Sequence, residues 1–221
     1  MGYGIKLKIW GDYACFTRPE FKVERVSYDI ITPSAARNIL QSIYWKPAIE
    51  WVIDRIYVLK PIQFDNIRRN ERAGKISVSK IKSAMNGKDT TLYQDQSSAA
   101  VQRASLVLKN VCYVIEAHFN LTSRAGPTDT EEKHYNIAFR RMKNGQCFNT
   151  PYLGCREFSA YFELIDNIDT VKDEIIPETK DLGFMLYDID FKHNMQPCFF
   201  RANMVNGVID VQKCLNSGVM S

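Results

Sequence analysis

The stretch from Val111 to Leu121 alternates regularly between two kinds of side chain, and this pattern constrains the fold more than any other part of the chain. Side chains at successive strand positions point to opposite faces of a sheet. The apolar face carries Val111, Tyr113, Ile115, Ala117, Phe119 and Leu121. The other face carries Cys112, Val114, Glu116, His118 and Asn120. His118 is therefore expected to point away from the most apolar face, with a packed core histidine as the alternative.

Two amphipathic helices are predicted around this strand. The first has Thr32 as its cap and Pro33 at its first position. Its apolar stripe is formed by Ala36, Ile39, Leu40 and Ile43. The second helix is indicated by Thr128 and Glu131, which have the spacing of a capping box. Its stripe is formed by Tyr135, Ala138, Phe139 and Met142. Both patterns predict helices that pack one face against the core.

The order of the elements predicts an α+β fold. Further strands are expected at Ile5–Phe16, Ile49–Phe64 and Leu153–Leu164, and Leu106–Leu108 with a Lys109-Asn110 turn predicts a hairpin before the alternating strand. The sequence strand, helix, strand, strand, helix, strand is that of ferredoxin-like, RRM-like folds. Such folds often bind RNA with their sheet face and helix edges. The chain is thus interpreted as a ferredoxin-like domain, with a basic insertion, over residues 1–175.

A small antiparallel β-sheet domain is predicted for residues 176–221. Its three strands are expected at Leu182–Phe191, Cys198–Met204 and Val208–Val211, with a tight turn at Asn206-Gly207. Within the first of them, Asp188 and Asp190 resemble a hard-metal cluster, but solvated charges are the commoner explanation. No metal site and no cofactor are predicted, because six scattered cysteines and three histidines show no zinc-ligand spacing.

Composition indicates a folded protein without a membrane span. Hydrophobic residues make up 45% of the 221 positions and aromatic residues 12%, without a helix-length apolar run. The N-terminal residues alternate polar and apolar side chains and lack the apolar stretch of a signal peptide. A cytoplasmic location is therefore expected.

The charges are distributed unevenly, although the net charge is only +4. A basic stretch runs from Arg68 to Lys88, and an acidic stretch runs from Glu163 to Glu178. Such polarity suits a protein that presents one face to a polyanion and another to a protein partner or solvent. The residues of the basic stretch expected to bind RNA are Arg68, Arg69, Arg72 and Lys75. A solvated loop is the alternative for this stretch.

The first helix ends in a cluster of chemistry-bearing side chains, Tyr44, Trp45 and Lys46, directly before Pro47. Proline cannot continue the helix, so the cluster is expected at a helix-to-strand corner where it can hold RNA. The alternative is that Tyr44 and Trp45 seal the end of a core helix. On the second helix, an RNA-facing role is considered for Lys133, His134, Arg140 and Arg141, against a merely solvated basic face.

Six short motifs occur in a fixed order along the chain: Trp10–Phe16, Ser42–Pro47, Lys133–Tyr135, Tyr152–Phe158, Leu186–Phe191 and Phe199–Ala202. Together they resemble the Dvulg-subtype CRISPR-associated proteins of type I-C systems, the "Cas five" branch of the RAMP superfamily. The resemblance implies a metal-independent endoribonuclease that cuts precursor CRISPR RNA at the base of each repeat hairpin. It also implies a protein that stays bound to the 5′ handle of the crRNA, alongside other subunits of a type I-C surveillance complex. Duplex DNA is a further candidate partner.

The same resemblance implies a catalytic tyrosine, lysine and histidine. The tyrosine corresponds to Tyr44 and the histidine to His118. In some relatives the lysine directly precedes the histidine, whereas this chain has Ala117 there, so Lys133 is assigned the role with Lys46 as the alternative.

Each member of this set has an expected role. Histidine suits proton transfer because its ordinary pKa of ~6.5 is close to neutral pH. Tyr44 is expected to orient the 2′-OH, because tyrosine ordinarily titrates near ~10. The lysine stabilises developing negative charge. Lys46 is expected to bind RNA and to tune Tyr44, whereas Trp45 is assigned to the core.

The expected products are a 2′,3′-cyclic phosphate and a 5′-hydroxyl. The main alternative is a non-catalytic crRNA-binding subunit, and a generic RNA-recognition domain is the third reading.

Overall fold

A computed structural model describes residues 4–21, 23–72, 74–93, 100–191, 194–216 and 218–220. Within these ranges the strands are β1 Gly4–Ala14, β2 Arg25–Val26, β3 Ile49–Val58, β4 Phe64–Arg72, β5 Ala100–Leu121, β6 Tyr161–Leu164, β7 Lys180–Asp190, β8 Gln196–Met204, β9 Val208–Asp210 and β10 Val219–Met220. The α-helices are α1 Pro33–Ile43, α2 Val78–Met85, α3 Glu131–Lys143 and α4 Val211–Asn216, and a 3₁₀-helix spans Ile168–Glu174.

The main sheet is built around β5, which pairs antiparallel with β1 on one side and β3 on the other. β6 extends the sheet beyond β1, and β9 extends it beyond β3. The predicted turn at Lys109-Asn110 is wrong, because both residues lie within β5, a single strand of 22 residues. Asn110 adopts a positive φ of 52° without reversing the chain.

The apolar face of β5 is covered by α1 and α3. Ile39, Leu40 and Ile43 of α1 and Ala138 and Met142 of α3 belong to one buried cluster with Tyr113, Ile115, Ala117 and Phe119. The opposite face of the sheet carries a smaller cluster around Val114 and Val171 of the 3₁₀-helix. The alternation in the sequence therefore predicted the two faces of this strand correctly.

The helix starts follow ordinary capping rules. Thr32 caps α1 by accepting the Ala35 amide, with Pro33 in the first turn as predicted. For α3, the predicted cap at Thr128 is wrong: Thr130 is the cap, and its Oγ1 accepts the Lys133 amide at 3.2 Å.

The basic stretch is not a solvated loop. Residues Phe64–Arg72 form β4, which pairs antiparallel with the first part of β5 from Ala100 to Leu108. Five of its nine side chains, alternating along the strand, are exposed, and α2 beyond it has no buried residue. The arm formed by β4 and the start of β5 projects basic residues away from the core.

The C-terminal region departs from the prediction in two places. β7, β8 and β10 form the small antiparallel sheet, but Val208–Asp210 pairs with β3 in the main sheet. The expected strand at Leu153–Leu164 is also shorter: Tyr161–Leu164 forms β6, and Ser159 makes an isolated bridge to Tyr152. Asn206 and Gly207 do form a turn, with φ of 49° and 72°.

A single apolar core joins the two predicted domains. Met185, Phe200 and Met204 of the small sheet are buried in the same cluster as Leu40 of α1 and Ile115 of β5. The division of the chain near residue 175 stays a prediction. Within the described residues, no helix is long and apolar enough to cross a membrane.

Candidate functional site

The corner after α1 buries its tyrosine and exposes its tryptophan, the reverse of the expected roles. Tyr44 ends α1, its amide donates to Leu40, and its carbonyl accepts the Trp51 Nε1 proton at 2.9 Å. Tyr44 is 1% exposed. Trp45 is 52% exposed, so its assignment to the core is wrong. Lys46 is exposed beside it.

The Tyr44 hydroxyl is held by a histidine from the second helix. Its oxygen lies 2.7 Å from Nδ1 of His134, which is 2% exposed. Phe119 packs edge-on against the imidazole, and the Arg141 guanidinium lies 5.3 Å from the centre of the Tyr44 ring. Burial raises the pKa of Tyr44, so this phenol stays protonated at neutral pH.

Two charged residues lie on the outer side of this buried pair. Asp129 Oδ1 is 3.1 Å from Lys133 Nζ and 3.2 Å from His134 Nε2. The second contact is a close approach and not a hydrogen bond, because His134 Nε2 has no hydrogen-bond partner among the described residues. The pKa of Asp129 is lowered, first by the Gly126 amide and then by Lys133. Tyr44 and Lys133 are thus connected through His134 and Asp129.

His118 belongs to a different pair. Its Nδ1 lies 2.9 Å from Asp54 Oδ2 and 3.0 Å from Oδ1, and both side chains are about one-third exposed, at 32% and 30%. Asp54 occupies a β-bulge, because the register of β3 against β5 shifts between Ile53 and Arg55. A bulge re-aims the side chain it carries, and this one brings a carboxylate to the imidazole.

The sheet separates the two histidines. Phe119 points to the α1 and α3 side, where it contacts His134 and Trp51. His118 is its immediate neighbour in β5 and therefore points to the opposite face. The structure brings Tyr44, His134 and Lys133 together, but it does not bring Tyr44 and His118 together.

The predicted RNA-binding residues fall into two groups. Arg68 and Arg72 lie on the exposed face of β4, and Lys46, Lys75 and Arg140 are exposed as well. Three residues are engaged within the protein: Arg69 is ion-paired with Glu157, Arg141 donates to the Ile43 carbonyl at 2.9 Å, and His134 is buried. The predicted RNA-facing placement of His134 is therefore not what this structure shows.

The Asp188 carboxylate, considered above as part of a metal cluster, has a protein partner. Its two oxygens accept from the two terminal nitrogens of Arg37 at 2.6 and 2.5 Å. This bidentate pair joins β7 to α1, so the Asp188 carboxylate has a structural role.

Comparison with known proteins identifies the family. The family described as CRISPR-associated protein (Cas_Cas5) matches residues 4–212. The protein named CRISPR pre-crRNA endoribonuclease Cas5d from Mannheimia succiniciproducens is 57% identical over 215 residues, 96% of each chain. The chain belongs to the Cas5d family. A protein of the same name from Thermus thermophilus is 43% identical over 190 residues, 85% of this chain and 73% of that protein.

Two solved structures share the fold of this Cas5d chain. One titled as a CRISPR-associated protein has a TM-score of 0.69 at 21% identity, covering 99% of this chain and 96% of that one. A functionally uncharacterized protein from Streptococcus mutans has a TM-score of 0.66 at 22% identity, covering 99% and 97%. The family resemblance predicted from the six motifs is confirmed.

Two carboxylates of this Cas5d chain were missed by sequence reasoning. Asp129 stands four residues before Lys133, a spacing that favours an ion pair near a helix start and was a usable signal. Asp54 gave no such signal, because the bulge that turns it towards His118 depends on the pairing of β3 with β5.

The role of the two exposed arginines of the arm in RNA binding can be tested. Replacing Arg68 and Arg72 together with glutamine is expected to weaken binding of repeat RNA and to reduce the slope of log K against log salt by about 1.4 to 1.8, because each phosphate contact contributes ~0.7 to ~0.9. A filter-binding titration across salt concentrations measures this slope. The matched control replaces Lys172 and Lys213, also exposed, and should leave the slope unchanged. Equal slopes for both double variants would remove the arm from the RNA interface.

Proposed function

We propose that this chain is a metal-independent endoribonuclease. It cleaves precursor CRISPR RNA at the base of the repeat hairpin and then holds the 5′ handle of the crRNA within a type I-C surveillance complex. Support comes from the two relatives named as pre-crRNA endoribonucleases, one of them 57% identical over nearly the whole chain. The basic exposed face of β4 suits a polyanionic substrate. A cytoplasmic location follows from this role.

The contact between His118 and Asp54 is the observation that best supports a catalytic reading. A carboxylate on Nδ1 fixes the orientation of an imidazole and leaves Nε2 to exchange a proton with substrate. Both side chains are partly exposed, so RNA can reach them. Two positions before His118 in β5, Glu116 lies 3.6 Å from Lys6 and 3.8 Å from Arg55.

The proposed reaction is an internal transesterification. The 2′-oxygen attacks the adjacent phosphorus as its proton is removed, and the bond from phosphorus to the 5′-oxygen breaks as that oxygen gains a proton. The products are a 2′,3′-cyclic phosphate and a 5′-hydroxyl. His118 is proposed to transfer a proton in this step, and a correctly positioned acid or base typically contributes ~10²- to 10⁴-fold.

Tyr44 and Lys133 remain in the proposed catalytic set with roles adapted to their positions. A raised pKa makes Tyr44 a poor base, so it is proposed to act as a hydrogen-bonding group. Through His134 and Asp129 it fixes the first turn of α3, where Lys133 is exposed to phosphate. Lys133 is proposed to stabilise negative charge on the RNA.

We also propose that the core of this fold is ferredoxin-like. If the two-residue β2 and the arm elements β4 and α2 are set aside, the order up to Leu164 is β1, α1, β3, β5, α3 and β6. These strands lie in the order β6, β1, β5, β3 across the sheet, with antiparallel neighbours. This arrangement supports the assignment of the domain to the RAMP superfamily.

The decisive experiment is cleavage of cognate repeat RNA by the purified protein in EDTA. A single cut at the base of the hairpin is expected, with a cyclic phosphate on the upstream fragment detected by its resistance to phosphatase until acid opens the ring. A ladder of cuts, or a requirement for added divalent cation, would contradict the proposal.

A non-catalytic crRNA-binding subunit is the second candidate function. Two observations favour it: Ala117 stands where some relatives have lysine, and the sheet separates Tyr44 from His118. Tight binding of repeat RNA without any cut in the same EDTA experiment would establish this candidate.

A further inference from the structure

A groove lies along α1, and its lining includes no member of either histidine pair. One wall is α1 with the corner that follows it, and it contributes Asn38, Gln41 and Trp45. The other wall is the segment after α3, which contributes Phe148, Tyr152 and Arg156. The cavity has a volume of about 690 Å³, within the ~300–1,000 Å³ range of small-molecule sites.

The second wall is held in place by backbone contacts. The amides of Phe148 and Asn149 both donate to the Ser42 carbonyl, at 2.9 and 3.0 Å. Asn38 Nδ2 donates to the Tyr152 hydroxyl at 3.2 Å. Gly154, two residues later, has φ of 84° and approaches Cys15 so closely that a Cβ would lie 2.0 Å from its carbonyl oxygen. These contacts mean that the groove exists before any ligand arrives.

The aromatic side chains of this groove are unusually exposed. Trp45 is 52% exposed and Phe148 is 81% exposed. Flat, solvent-exposed rings on opposite walls offer stacking surfaces to a planar ligand, and stacking on aromatic side chains is how proteins hold unpaired nucleobases.

The polar groups of the groove fit the remainder of a nucleotide. Arg156 is exposed and has no ion pair with a described residue, and none of the described residues lining the groove is acidic. Gln41 and Asn38 carry amides, which match the donors and acceptors on base edges. Lys46 is exposed directly after Trp45 and supplies a second cation. Among the described residues, the groove is lined by a cation and amides without carboxylates, and this favours an anion with a base over an apolar protein segment.

We propose that this groove binds an unpaired nucleotide of the RNA, with the base stacked on Trp45 and Phe148 and its phosphate near Arg156. The inference rests on the proposed function, because it takes the RNA to be the ligand of this chain. It adds a site for single-stranded RNA to the phosphate contacts expected of the arm.

The test uses oligoadenylate and an abasic oligoribose phosphate of the same length. Trp45→Ala combined with Phe148→Ala is expected to weaken oligoadenylate binding about tenfold and to leave binding of the abasic chain unchanged. Phe184→Ala, which removes a 51% exposed ring from β7, is the matched control and should change neither affinity. Oligoadenylate should also quench tryptophan fluorescence, and Trp45→Phe should abolish the quenching, because Trp51 is buried and Trp10 is stacked on Tyr161.

Three results would overturn the inference. The double variant could bind oligoadenylate like the wild type, it could lose affinity for both polymers equally, or it could keep RNA affinity and lose assembly with the other subunits. The last result would make the groove a protein interface. Failure of the wild type to cut repeat RNA in EDTA, with the fluorescence quenching intact, would refute the nuclease and leave the groove standing.

Discussion

Replacing His118 with alanine is expected to lower the single-turnover cleavage rate of repeat RNA by about 10²- to 10⁴-fold, the usual contribution of a positioned acid or base. RNA affinity should change little, because the imidazole is one polar contact, whereas affinity for RNA comes mainly from many phosphate contacts. The fold should tolerate the change, since the side chain is 32% exposed and its loss leaves no buried group unpaired. Rates at saturating protein and affinities from filter binding separate the two effects.

Asp54→Asn provides the companion measurement. An amide can still occupy the bulge but cannot stabilise an imidazolium, so the rate should fall at least about tenfold with affinity unchanged, following the behaviour of other carboxylate–histidine pairs. Asp181→Asn is the control, because Asp181 also forms an ion pair, with Arg201 at 2.6 Å, in the small sheet. If the His118→Ala protein cleaves RNA at the wild-type rate, His118 is not catalytic, and the Tyr44 and His134 pair becomes the candidate site.

The sequence predicted the elements whose signals are local. The alternation of β5 identified the face on which His118 lies, and the stripe and cap of α1 identified that helix nearly residue for residue. These features follow from side-chain periodicity and capping, which act over a few residues.

The failures share a physical cause, which is long-range pairing. The Lys109-Asn110 pair is typical of a turn. However, β4 pairs with the part of β5 before these residues, and β1 pairs with β5 on both sides of them, so β5 stays extended. Tyr44 can be buried because its carbonyl accepts from Trp51 and its hydroxyl bonds to His134, which is 90 positions away. Neither contact leaves a pattern in the neighbouring sequence.

Long-range pairing also sets the partners of the site residues. His118 and Tyr44 are brought into one catalytic set by family resemblance, whereas the contacts that orient each of them come from Asp54 and His134. A histidine and a tyrosine can be found from motifs, but the partners that fix a proton position are set by register and by helix packing. Those partners decide whether the two residues act on one phosphate or on different parts of the RNA.

Replacing Tyr44 with phenylalanine should lower the cleavage rate at least about tenfold and also destabilise the protein. The change removes the hydroxyl that satisfies His134 Nδ1, and leaving a buried polar atom unpaired costs about 1–3 kcal/mol. For a chain of this size, each kcal/mol lowers Tm by roughly 2–4 °C. Tyr28→Phe, at another tyrosine that is 1% exposed, is the control for removing a buried hydroxyl and should leave the cleavage rate unchanged.

The pH dependence distinguishes the role of this hydroxyl from that of a base. Burial raises the pKa of Tyr44 above its ordinary value of ~10, so the phenol does not titrate near neutral pH. The rate of the Tyr44→Phe protein should therefore fall by the same factor at every pH between about 6 and 9. A base would behave differently, since its loss would remove a limb of the pH–rate curve. Loss of such a limb in the variant would show that RNA binding opens the core and places the tyrosinate on the 2′-OH.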